Sequence, residues 1–166
     1  MTEYRRLLAH KRALLQQRFV DPLQLDIFDE SLSRVGATLI ERRVAAVQAL
    51  KSAFNEQHNA IAGSGNVELK VQVGAFGGEE VRGEDAVAQR LKKEMEHRRA
   101  DELDRKQVLV GPHRDDLLIT INGQLARNFA SQGQARSLIL GLKLAQLLYA
   151  HQQGSVPIFL LDDLTR

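Results

Sequence analysis

The sequence predicts an α/β protein of the α+β kind: a helical hairpin arm followed by a region that mixes strands with helices. Three observations predict it. Apolar residues recur at helical spacing through most of the first third of the chain. Val67-Glu-Leu-Lys-Val-Gln-Val73 alternates strictly, with its apolar residues on one face and Glu68, Lys70 and Gln72 on the other. Asn122-Gly123 separates two strand-like runs, a strong short signal for a β-hairpin, and a long apolar helix pattern follows.

The arm begins with a helix from Thr2 to about Arg18, whose stripe is Leu7, Leu8, Leu14 and Leu15 with Tyr4 and Lys11 on the same side. Phe19-Val-Asp-Pro22 stops it, since proline cannot continue a helix interior. Leu23 to Glu30 reads as a connecting stretch anchored by Leu25, Ile27 and Phe28. A longer helix is expected from about Asp29 or Ser31 to Asn59, striped by Leu32, Val35, Leu39, Ile40, Val44, Val47, Leu50 and Phe54. Two such helices make an antiparallel hairpin.

Ala62-Gly-Ser-Gly-Asn66 breaks the pattern before the half-buried strand Val67–Val73, and Gly74-Ala-Phe-Gly-Gly78 ends that strand in a loop. From about Glu84 to Lys106 the chain reads as a densely charged helix with a thin stripe of Val87, Leu91, Met95 and Leu103. Lys92, Lys93, His97, Arg98 and Arg99 invite a phosphate-binding reading. Interleaved Glu94, Glu96, Asp101, Glu102 and Asp104 favour a solvated face instead. His10, His58, His97 and His151 show no metal-ligand spacing and are expected at the surface.

Val108-Leu-Val110 is expected as a short strand leading into Gly111-Pro-His-Arg-Asp-Asp116. Gly-Pro forces a turn, and the crowded charges suit a salt-bridged loop in which Arg114 neutralises Asp115 or Asp116. Leu117–Ile121 and Gln124–Phe129 form the hairpin around Asn122-Gly123, and Arg127 either reaches a phosphate or stays an exposed strand arginine. Ser131 followed three residues later by Gln134 is a capping-box arrangement, opening a helix that runs to about Ala150. With Gly133 in the first turn, outward N–H groups at the positive end of the helix dipole suit an anion; a plain capped core helix has the same pattern. That helix is apolar almost all round and is expected to be buried. Ser155-Val-Pro-Ile-Phe-Leu-Leu-Asp-Asp163 is expected as a strand apolar on both faces, ending in adjacent carboxylates where α/β proteins bind ligands.

Composition sets the outer bounds. A chain of 166 residues holds one ordinary domain or two small lobes. Its 43% apolar and 27% charged residues are those of a soluble globular protein, and a formal charge of +2 does not by itself argue for nucleic acid. The absence of cysteine excludes a disulfide framework and any Cys-based metal site. No apolar stretch reaches the roughly 18 residues of a membrane span.

Four stretches in this order carry a resemblance: Tyr4-Arg-Arg-Leu-Leu with Arg12-Ala-Leu-Leu15, Gly111-Pro-His-Arg-Asp-Asp-Leu117, Ala130-Ser-Gln-Gly-Gln-Ala-Arg-Ser137 and Phe159-Leu-Leu-Asp-Asp-Leu164. The last two resemble the signature and Walker B elements of an ATP-binding-cassette-type P-loop ATPase head, and the set resembles the bacterial RecF family. The resemblance implies residues 1–62 as a helical hairpin arm, 63–106 as a strand-helix segment of the arm or second lobe, and 107–166 as a partial head. It implies that Ser131, Gln132, Gly133 and Gln134, supported by Arg136, touch the γ-phosphate of ATP bound to a second subunit. Asp162 would serve Mg2+ and Asp163 would polarise the attacking water. His113, Arg114 and Asp116 would lie near the nucleotide side of the head.

It further implies a cytoplasmic, slow ATPase of recombinational repair. Such a protein binds DNA at single-strand/double-strand junctions, dimerises around ATP, and works with RecO and RecR to load RecA. The glycine-lysine pair of a phosphate-binding P-loop is absent from the sequence. The expectation is therefore a fragment with the Walker A half elsewhere, binding ATP negligibly by itself. An SMC-like chromosome-organising head is an alternative, opposed by the short arm. A helical interaction module without a nucleotide role is another.

Overall fold

The computed structural model describes residues 2–63 and 65–161. Helix α1 spans Thr2–Leu15 and helix α2 spans Pro22–Ala62. Strand β1 (Val67–Gln72) and a 3-10 turn (Gly74–Phe76) lead to helix α3 (Glu84–Arg105). A second 3-10 turn (Pro112–Arg114) precedes strands β2 (Asp116–Ile121) and β3 (Gln124–Leu125), then the short helix α4 (Ala126–Phe129) and helix α5 (Gln132–Gln152). The sheet order is β1-β2-β3.

Packing divides the chain into two compact units, one holding residues up to Ala45 with Val71–Leu117, the other Ala46–Lys70 with the residues from Leu118. In the first unit α1 contributes Tyr4, Leu8, Leu14 and Leu15 to a core with Leu25, Leu32 and Ile40 of α2 and Val87, Leu91 and Met95 of α3. The stripe read from the sequence of α1 includes a lysine, and Lys11 is fully buried. Its ammonium lies 2.6 Å from both Asp29 and Glu102, joining α1 to α2 and α3. Glu102 also accepts from the backbone N–H of Leu109 at 2.7 Å. Burial therefore falls on Glu102, whereas Leu103, expected in the stripe of α3, is exposed.

Helix α2 starts earlier than its apolar stripe suggests, and Leu23–Glu30 is helical. Asp21 is the reason: its carboxylate accepts the Leu23 N–H at 3.0 Å, and Pro22 occupies the first helical position, where its missing donor costs nothing. Val108–Val110 forms no strand but is held by side chains, with Val108 and Val110 buried. Arg114 does not neutralise Asp115; Arg43 does, at 2.8 Å, while the Arg114 guanidinium donates to the Val108 carbonyl.

In the second unit Phe54, Val67, Leu69, Leu138 and Ala145 form the core. The hairpin pairs Thr120 with Leu125 and Ile121 with Gln124. Asn122 (φ 51°) and Gly123 (φ 80°) make the left-handed corner that a two-residue hairpin needs. The second strand is shorter than expected, because the chain turns helical at Ala126. Asn122 also receives the Asn66 N–H on its side chain and donates its own N–H to the Asn66 carbonyl, tying the end of β2 to the entry of β1.

His58 is buried, not exposed: it continues the stripe one turn after Phe54, and its backbone lies against Gly141 of α5. Helix α5 buries only Leu138, Gly141 and Ala145, leaving Ile139, Leu148 and Tyr149 exposed, so it is not covered all round. Residues 155–161 form no strand, and Val156, Ile158 and Leu160 are each nearly nine-tenths exposed. Among the described residues no helix is long and apolar enough to cross a membrane.

Candidate functional site

The best-formed corner is the head of α5. Ser131 sits at the N-cap with extended backbone, its hydroxyl accepting from the Gln134 N–H at 3.2 Å. The Gln134 side chain returns the contact, accepting from the Ser131 N–H at 2.9 Å, which completes the capping box. The N–H groups of Gln132 and Gly133 belong to the first turn, where helix geometry offers no acceptor, and the dipole makes that end positive.

Ser131, Gln132, Gly133, Gln134 and Arg136 are all exposed, so the corner faces solvent rather than apolar packing. Gly133 is in helical conformation, and a Cβ built there meets only the Ser131 hydroxyl, at 3.9 Å. Among the described residues nothing calls for glycine at this position, although glycine costs about 1 kcal/mol against alanine in a helix. A bare backbone beside free donors is the geometry that lets an anion approach closely, so the residues present fit a phosphate group.

The loop of Gly111–Asp116 lies in the other unit and is built differently. Tyr4 donates its hydroxyl proton to Nδ1 of His113 at 2.8 Å, and Nε2 of His113 donates to the Val108 carbonyl at 3.1 Å. Both ring nitrogens are engaged, which fixes the neutral tautomer. Burial pushes the His113 imidazole below its ordinary range; the hydrogen bond to Val108 opposes this, and the positive field of Arg114, Arg12 and Lys11 adds to it. Burial raises the Tyr4 hydroxyl well above the usual tyrosine range, so it remains a donor.

Burial likewise raises Asp115, against the hydrogen bond from the Gly74 N–H and the charge of Arg43. Arg43 also donates to the Pro112 carbonyl at 3.0 Å. Asp116 begins β2, exposed, and accepts the Leu117 N–H. The loop thus holds its histidine inward and presents Arg114 outward. Tyr4 and Arg43 take part in it as well as Asp115, which belongs to the charged run itself. Tyr4 lies on the apolar stripe of α1, whereas nothing in the spacing marks Arg43.

Asp162 and Asp163 lie outside the described residues. Arg127 occupies α4, exposed, before the corner at Ser131. Among the described residues no cluster of His, Asp and Glu has the makings of a metal site.

The helix-rich α+β fold with its small antiparallel sheet is that of part of an ATPase head. No family model matches the chain. Among curated proteins it is 38% identical over 162 residues to the DNA replication and repair protein RecF of Symbiobacterium thermophilum, covering 96% of this chain and 43% of that protein. RecF of Listeria welshimeri is 37% identical over 170 residues, with 98% and 45% covered. Two solved structures of the recombination mediator protein RecF of the RecFOR pathway, RecF-ATP and its ATPγS counterpart, superpose with TM-scores of 0.88 and 0.89 at 32% identity, over 98% of this chain and 44% of theirs. The chain belongs to the RecF family, and it spans less than half the length of the relatives it matches.

Proposed function

We propose that this segment carries the half of an ATP clamp that acts on nucleotide held by a facing subunit. The head of α5 offers its first-turn N–H groups to the γ-phosphate, with Ser131 and Gln134 holding the corner in shape and Gly133 leaving room. Arg136 adds positive charge on the same exposed end. In this reading residues 1–62 are the arm, 63–106 a strand-helix segment of the arm or second lobe, and 107–166 part of the head. Asp162 serves Mg2+ and Asp163 orients the attacking water, so the whole protein is a slow ATPase in which hydrolysis opens the clamp. The nucleotide-side role of His113, Arg114 and Asp116 is narrower here: His113 braces the loop, and Arg114 is the member free to meet a ligand.

The cellular task that follows is recombinational repair in the cytoplasm: binding DNA at single-strand gaps, with RecO and RecR as partners in loading RecA. The RecF identity of the relatives supports that task. The observation that carries the clamp is the solvent-facing capping box beside an unfilled glycine. In a protein of the relatives' length carrying this segment, Ser131→Arg should leave ATP binding by one subunit intact and abolish ATP-dependent dimerisation in sedimentation velocity. Dimerisation that persists unaltered would reduce Ser131 to a helix cap and the chain to an interaction module.

A further inference from the structure

The first unit carries a second positively charged feature, apart from the head of α5. An open pocket of about 390 Å³ is lined by Arg12 and Gln16 from the end of α1, Lys106 and Gln107 just after α3, and Arg114 from the loop before β2. Val108 floors it. No carboxylate lines this pocket, and among the described residues none of the three cations is in an ion pair. Elsewhere in the same unit Arg34, Lys92 and Arg98 are each matched to an acid.

Part of this arrangement has a simple cause. Arg12 is in the last turn of α1 and Lys106 caps α3, where a cation complements the negative helix end. Two helix ends amount to roughly one negative charge, each worth about half. Three cations exceed that by about two. Arg114 comes from neither helix, and its guanidinium is steered into the pocket by donating to the Val108 carbonyl at 3.3 Å. Lys106 is also held in a left-handed conformation (φ 50°), where glycine is the usual occupant. Gln16 locks it there by donating to its carbonyl at 2.9 Å.

We infer that this pocket is a phosphate-binding site, formed by Arg12, Lys106 and Arg114 with Gln16 and Gln107 as additional donors. The pocket volume falls in the small-ligand range. The phosphate is either a free ion or a group of a nucleic-acid backbone, since guanidinium and ammonium recognise both alike.

The test uses the 166-residue chain, inorganic pyrophosphate and a short single-stranded oligodeoxynucleotide, each titrated by NMR chemical shift at low salt. Lys106→Gly removes a charge while relieving the backbone, so its fold should be at least as stable. Arg12→Gln removes a second charge at an exposed position. Each variant should weaken pyrophosphate binding about tenfold if the free ion is the ligand. If the backbone is the ligand, the oligonucleotide binds instead, and each variant lowers the salt slope by about one. Either pattern supports the site. Absence of saturable binding by both probes, or affinities unchanged in both variants, overturns it.

Discussion

Gly111 is fixed by its surroundings. Its φ is +133°, and a Cβ there would collide with the Tyr4 hydroxyl. Gly111→Ala should therefore displace Tyr4, break the Tyr4–His113 hydrogen bond and cost about 1–3 kcal/mol in urea unfolding. Burial of His113 sets a pH dependence. His113 is held below its ordinary 6.5, so as pH falls through the window beneath that value the unfolded chain takes up a proton that the folded chain resists. Stability from this group is complete above 6.5 and is lost on acidification. Asp115 works in the opposite sense: its folded value is raised above 3.8, so it favours folding as pH falls towards that value. His113→Gln can still accept from Tyr4 and donate to Val108 without titrating, and it leaves Asp115 unchanged. Thermal melts from about pH 5 to 7.5 should show the wild-type melting temperature falling on the acid side relative to this variant. Parallel curves would mean that His113 is not held neutral.

At the scale of elements, the apolar stripes told which faces turn inward, and the caps told where helices begin. The capping box at Ser131 and the Asn-Gly corner were both legible because each is a local hydrogen-bonding pattern written in adjacent residues. The start of α2 departs from the expectation, because Asp21-Pro22, which ends the first helical pattern, also opens the next helix. The salt link of Lys11 could not be read from spacing, since Asp29 and Glu102 come from distant parts of the chain. That link makes a sharp prediction. Lys11→Met leaves Glu102 buried without its cation and Asp29 with Arg99 alone, and should cost about 3–5 kcal/mol in urea unfolding. Lys92→Ala, which breaks a half-exposed pair with Glu30, should change little. Similar midpoints for the two variants would show that the buried ammonium does not bind the three helices together. At the other end of the size range, Ser131→Ala loses the α5 cap and should cost about 1 kcal/mol.

For the molecule as a whole, the apolar run 156–161 is the least accounted for by the described fold. Val156, Ile158 and Leu160 recur at strand spacing and stand 88%, 87% and 87% exposed, with Leu161 half exposed beyond them. A run that is apolar on both faces belongs inside a sheet, where neighbours satisfy its backbone and cover its side chains. Among the described residues the sheet order is β1-β2-β3 and residues 155–161 form no strand, so the buried strand that the sequence pattern predicts is not formed here. An unpaired apolar edge of this kind is a template for a second copy. The 166-residue chain should therefore self-associate as concentration rises, seen as a growing sedimentation coefficient. Val156→Lys with Ile158→Lys places charge on the exposed face and should weaken that association at least about tenfold, roughly 1.4 kcal/mol, without altering the melting temperature. A wild-type chain that stays monomeric across the whole range would show that these side chains find cover within one molecule, and the run would then not act as an open edge.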